Sequence, residues 1–323
     1  MKKLLKIGVT VGDLNGVGLE IFLKYLSSKF YRKISSFAQF VLFANQDTIC
    51  EYLTKLPSGK SSYKMFTKLV TGGSIIVHEI EANCEINFGG ISKDSGKVSL
   101  ESIQQSLLAF SRGAIDCLVT LPICKEAIQM NNPDFLGQTE FIANYFRFPN
   151  PLMTFVYNKF RVALVTTHLP LKKISESITK IVLRNKIEVY ERSLKIDFDI
   201  KKPKIALLGL NPHSGENGLI GNEEVELITP VVMELKKNGI NIGGPFPADG
   251  FFAYQHHKDF DGIIACYHDQ GLIPFKLISK GRGVNFTANL PIVRTSPDHG
   301  TAYDIAGKNK ADYLSLANAI QCA

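Results

Sequence analysis

The chain has 323 residues, enough to bury a large core, and 45% of them are apolar against 21% charged, which excludes disordered, collagen-like and coiled-coil classes. A formal charge of +7, spread along the chain rather than gathered in a basic stripe, argues against nucleic-acid binding and leaves a weak field suited to a small anion. Six cysteines without a CxxC pair read as reduced thiols of a cytoplasmic enzyme; no apolar stretch reaches the ~18 residues of a membrane span, and Lys6 and Gly12-Asp13 interrupt the opening before a signal core can form.

In chain order, short β-branched runs predict strands at 6–11, 40–44, 74–79, 116–120, 152–157, 162–167, 204–208 and 262–266. Helices are expected near 18–28, 98–113, 139–147, 172–196, 222–238 and 311–321. The clearest is 172–196, where Ile174, Ile178, Ile181, Val182 and Val189 recur at helical spacing among Lys, Glu and Arg. The polar stretch 57–64 reads as a loose connection. Strands alternating with helices predict an α/β fold with a mainly parallel sheet.

The segment GDLNGVG, residues 12–18, joins the first strand to the first helix. Its glycines would let backbone N–H groups face an anion at the helix N-terminus, but the spacing is not GxGxxG, and the plainer reading is a tight turn.

His168 follows VALVTT, His213 follows IALLGLNP and His268 follows GIIACY. Ligands in α/β sheets gather at the carboxyl ends of strands, and three neutral imidazoles with an open position suit a catalytic metal. The alternative is three independent loop histidines. Asp269 or Asp249 could support a metal, orient a histidine or act as a base, and Asp249 also reads as a helix N-cap. Arg294 could clamp a carboxylate or phosphate, or pair locally. His78, His256 and His257 read as exposed or structural.

Several blocks in fixed order carry a resemblance: VTVGDLNGVGLEI (9–21), GQTEFIA (137–143), VALVTTHLPLKKIS (162–175), GLNPHSGENGLIGNEE (209–224), GPFPADGFF (244–252), YHDQGLIPFK (267–276) and GRGVNFTANLPIVRTSPDHGTAYDIAGKNKAD (281–312). Over nearly its whole length the chain resembles the 4-hydroxythreonine-4-phosphate dehydrogenases of pyridoxal phosphate biosynthesis. The resemblance implies two intertwined α/β/α subdomains like those of isocitrate and isopropylmalate dehydrogenases. These would divide near 1–120 plus 265–323, proximal to the cofactor, and 121–264, carrying dimerisation and metal ligands.

It also implies a homodimer with its active site at the interface, and a divalent metal (zinc, magnesium or cobalt) on His168, His213 and His268. Substrate contacts would fall on Gln138, Thr139, Lys276, Asn285 and Arg294, with Lys276, Asp249 or Asp269 in proton transfer. The segment DHGTAYDIAGK is similar to the nucleotide loop of isopropylmalate dehydrogenases, which makes His299, Gly300, Thr301 and Asp304 the expected contacts of NAD or NADP. The family usually has His where Gln138 stands, and glutamine cannot take a positive charge.

The implied reaction is oxidation of 4-phosphooxy-threonine to a β-keto acid that loses carbon dioxide. The rivals are a paralogue acting on phospho-threonate or phospho-erythronate, an acyltransferase like phosphate acetyltransferase, and a non-catalytic phosphometabolite binder.

Overall fold

The computed structural model describes residues 4–323. Their strands are β1 (Leu5–Thr10), β2 (Ala38–Phe43), β3 (Ile75–His78), β4 (Cys117–Thr120), β5 (Leu152–Tyr157), β6 (Phe160–Leu164), β7 (Ile205–Leu208), β8 (Ile242–Phe246), β9 (Gly262–Ala265), β10 (Val284–Ala288) and β11 (Arg294–Pro297). Two units result: residues up to Arg147 together with Leu290–Ala323, and Phe148–Asn289. The α/β class is as expected, and the chain divides at Arg147/Phe148 and Asn289/Leu290. His268 therefore lies in the same unit as His168 and His213. The reason is that β9, which leads to His268, is hydrogen-bonded between β6 and β7.

In the first unit the strand order is β3-β2-β1-β4-β11, with parallel pairing throughout. Helices Gly18–Leu26 and Lys93–Ser111 lie in the connections, the first so apolar that nearly every side is buried. Phe22, Tyr25 and Phe40 meet edge-to-face at 5.8 and 6.1 Å in this core. Residues 57–64, expected as a loose connection, instead run into helix Gly59–Thr71. Phe66 is buried on its inner side while Ser61 and Lys64 face water, an amphipathic pattern that the polar composition hid.

In the second unit the order is β10-β5-β6-β9-β7-β8. β10, β5 and β6 pair antiparallel, whereas β6, β9, β7 and β8 run parallel. The expected helix 172–196 is broken into a turn Leu171–Lys173, a short helix Ile174–Ser177 and a long helix Lys180–Ile196. Thr179 is extended and caps the long helix, its hydroxyl accepting the Val182 N–H at 3.2 Å. The apolar period runs through this break and masked it.

Helix His268–Ser279 lies against β6 and β9, burying Leu272 and Phe275 in a cluster with Phe155, Phe160, Val162, Leu164 and Ile263. Only glycine fits at 271, because a Cβ there would sit 2.9 Å from Val162 and 3.0 Å from Ala265 and Leu164. The helix that begins at His268 is thus pressed directly onto the sheet. Phe275 is fully buried, so Phe275→Ala should cost about 3–5 kcal/mol, read as a lower urea midpoint with unchanged slope.

Candidate active site

The three histidines leave the carboxyl ends of β6, β9 and β7, which are adjacent and parallel in that order. Leu164 pairs with Ala265, and Leu207 with Ile264, so the strand ends are level. Just beyond them the Val165 and Thr166 N–H groups still donate to the Ala265 and Cys266 carbonyls at 2.9 and 3.2 Å, and side-chain bonds join this backbone pairing. Thr166 donates its hydroxyl to the Cys266 carbonyl at 2.7 Å, tying the exit of β6 to that of β9. Gln270 accepts the Cys266 N–H at 2.7 Å and donates to the Gly209 carbonyl at 2.6 Å, tying β9 to β7. These two residues carried no sequence signal, because each acts between segments far apart in the chain.

His168 and His268 stand with ring centroids 6.0 Å apart, near enough for both to reach one ion. His268 opens its helix, and its Nδ1 is 2.7 Å from Asp269 Oδ1, a contact that fixes the ring and leaves Nε2 for a ligand. His213 lies in a left-handed turn, Pro212–Gly218, at φ 50° and ψ 26°. Among the described residues no three His, Cys, Asp or Glu side chains gather to hold a metal within one chain. The imidazole pair fits a borderline divalent metal by donor chemistry, and the third expected ligand is not gathered with it. Asp249 is not an N-cap: Pro247 holds that position, and Asp249 lies in the first turn of helix Ala248–Ala253.

In the first unit Arg294, on β11, is 2% exposed, and burial pulls its guanidinium down to about 10, opposed by Glu140. Its Nε and Nη2 donate to the Thr120 hydroxyl at 3.0 and 2.6 Å. Gln138 begins helix Gln138–Tyr145, and its Nε2 donates to the Leu121 carbonyl at 3.2 Å. Arg294 and Gln138 thus converge on the end of β4, beside the buried Thr139. Asn285 is on β10 and Lys276 on helix His268–Ser279, both in the other unit.

Residues 36–323 match the family described as pyridoxal phosphate biosynthetic protein PdxA. The chain belongs to this family. A 4-hydroxythreonine-4-phosphate dehydrogenase of Bacteroides thetaiotaomicron is 40% identical over 99% of this chain and 88% of its own length, and one of a Sulfurihydrogenibium species is 39% identical over 99% and 98%. A solved 4-hydroxythreonine-4-phosphate dehydrogenase from Klebsiella pneumoniae superposes with a TM-score of 0.81 at 30% identity, covering 99% of this chain and 97% of that one. A terephthalate 1,2-cis-dihydrodiol dehydrogenase from Burkholderia xenovorans shares the fold, with a TM-score of 0.63 at 24% identity over 99% and 97%.

In this PdxA chain the loop 12–18 is a turn. Four of its N–H groups are taken: Asp13 donates to the Pro122 carbonyl, Asn15 to Asp13 Oδ1, Gly16 to the Asp13 carbonyl and Val17 to the Thr301 carbonyl. Tyr303 Oη donates to Asp13 Oδ2 at 2.7 Å, so the segment holding His299, Gly300, Thr301 and Asp304 is seated on this loop. His299 Nδ1 lies 2.9 Å from the Gly300 carbonyl oxygen. His78, His256 and His257 pack against Phe43, Phe251 and Phe160, as a structural role requires.

Asp13 is fully buried, and burial raises its carboxyl above the ordinary 3.8, against hydrogen bonds from Tyr303, Asn15 and Ser95. A carboxyl raised on folding holds its proton more tightly in the native state, so stability falls as pH rises from the unfolded value through the folded one. Wild type should therefore lose stability relative to Asp13→Asn as urea titrations move upward from pH 4; parallel curves for the two proteins contradict this.

Proposed function

We propose that this chain oxidises 4-phosphooxy-L-threonine with NAD or NADP to 2-amino-3-oxo-4-phosphooxybutanoate, which decarboxylates to 3-amino-2-oxopropyl phosphate. The chain is an oxidoreductase of pyridoxal phosphate biosynthesis. The observation that carries the reading is the exit of His168, His268 and His213 from three adjacent parallel strands, in a chain whose full-length relatives carry that name.

His168, His213 and His268 would hold a divalent metal (zinc, magnesium or cobalt), with ligands shared across a homodimer, which would supply Lewis acidity at the C3 hydroxyl, and His299, Gly300, Thr301 and Asp304 would hold NAD(P), which would supply the hydride acceptor. Arg294 is desolvated in advance, so a phosphate or carboxylate meets a donor fork for which water no longer competes. Lys276 adds charge, and Thr139 and Asn285 add hydrogen bonds. Asp269 is engaged with His268, which makes it the orienting group and leaves Asp249 and Lys276 for proton transfer.

Gln138 spends its donor on Leu121, while its Oε1 is buried with no hydrogen-bond partner among the described residues. That oxygen suits a hydroxyl or amine of the substrate better than a phosphate. Large apolar side chains are exposed beside the histidines in sequence: Leu171 at 75%, Leu219 at 83% and Leu277 at 70%. Such exposure supports a homodimer made through the second unit. The free cysteines suit the reducing cytoplasm, and no helix of the described residues is long and apolar enough to cross a membrane.

A second reading, a paralogue acting on phospho-threonate or phospho-erythronate, is favoured by Gln138, which stands where the family usually has histidine. Purified protein should reduce NAD(P) with 4-phosphooxy-threonine and stop when chelated. Reduction only with a phosphorylated sugar acid selects the paralogue, and activity untouched by chelator sinks the metal assignment. Arg294→Met should keep or raise the melting temperature, because an apolar isostere relieves a buried charge, while KM for the phosphorylated substrate rises at least about tenfold.

A further inference from the structure

Residues His213–Gly218 all have positive φ, from 43° at Glu216 to 96° at Gly218, and four of the six are not glycine. L-residues disfavour this region, so a run of them persists only where the surroundings enforce it. At the ends of the turn the Ser214 N–H donates to the Asn211 carbonyl, the Leu219 N–H to that of Glu216 and the Ile220 N–H to that of Gly215. A buried acidic side chain lies directly beneath. Glu224, 2% exposed, accepts the Asn211 N–H at 2.7 Å and the Asn211 Nδ2 at 2.9 Å.

Glu223 accepts the same Nδ2 at 2.8 Å and the Ser175 hydroxyl at 2.6 Å. Asn211 is therefore gripped by two consecutive carboxylates, which reach one amide from either side of the start of a π-helical turn, Glu224–Ile228. Ser175 lies in the segment that follows His168, so the grip also ties the His168 and His213 segments together. The turn sits directly on the buried carboxylate, since a Cβ at Gly215 would come 2.7 Å from Glu224 Oε2. A carboxylate kept this far from water is costly unless its bonds serve a purpose.

We propose that Glu224 and Asn211 are positioning residues that hold the left-handed turn and thereby present His213 to the metal. This rests on the metal reading above. With the grip removed the turn relaxes toward negative φ and the His213 imidazole changes direction, while the His168–His268 pair, which the grip does not touch, is unchanged.

The test is titration with cobalt(II) chloride, followed by the visible d–d bands, on the full-length protein and on His213→Ala, Glu224→Ala, Glu224→Gln and Asn211→Ala. Glu224→Ala and Asn211→Ala should bind cobalt at least about tenfold more weakly, with bands shifted toward those of His213→Ala. Glu224→Gln keeps an acceptor for the Asn211 N–H and should recover part of the affinity and band position; it also serves as the arm to read if Glu224→Ala does not fold. Wild-type affinity and bands in the Glu224 and Asn211 variants, with both lost in His213→Ala, overturn the proposal and leave the metal reading standing. Wild-type cobalt binding in His213→Ala overturns that reading and the proposal with it.

Discussion

The second unit depends on one constraint: β6, β9 and β7 must stay level at their carboxyl ends. Backbone pairing secures part of this, since just beyond β6 the Val165 and Thr166 N–H groups still donate to the Ala265 and Cys266 carbonyls at 2.9 and 3.2 Å. The Thr166 hydroxyl and the Gln270 amide add side-chain bonds to these, and the packing of Gly271 against Val162 and Leu164 keeps the helix from lifting away. Each loop then starts from a fixed point. The 6.0 Å separation of His168 and His268 is set from those points.

The amino-acid sequence made the central strands plain, because 205–208 and 262–265 are short apolar runs and 152–157 is interrupted only by Thr154. It hid β8, β10 and β11 for separate reasons. β8 reads IGGPF, whose glycines and proline signal a turn. β10 is short, with Asn285 at its second position. β11 reads RTSP, and nothing in that string suggests a strand whose first residue is a buried arginine. The candidate site divides in the same way. Histidines announce themselves by type and by position after a strand, whereas Asn211, Glu224 and Thr166 matter only through partners that the linear order does not reveal. His213 was visible; the left-handed turn that carries it was not, since its residues include Glu and Asn as well as glycine.

Buried ionisable groups recur in places where the chain must be held still. Arg294 lies against Thr120, Asp13 against Tyr303 and Glu224 against Asn211. None of these is needed to make a hydrophobic core, and each gives up hydration to take its place. Together they fix the end of β4, the loop 12–18 with the segment around Tyr303, and the turn of His213. An apolar substitute could fill the same volumes, but it would not specify where the neighbouring backbone lies.

The chain leaves the first unit after Arg147 and returns at Leu290, and this itinerary sets an order of synthesis. The residues from Phe148 to Asn289 form an uninterrupted segment that can fold as soon as it clears the ribosome. The earlier strands cannot finish: β4, with the sequence CLVT, waits for β11, and Arg294 reaches Thr120 across a separation of 174 residues. Throughout that interval a short apolar strand edge stays open to whatever lies nearby. A nascent chain stalled before residue 294 would present that edge to its neighbours on the polysome, so self-association during translation should begin at β4.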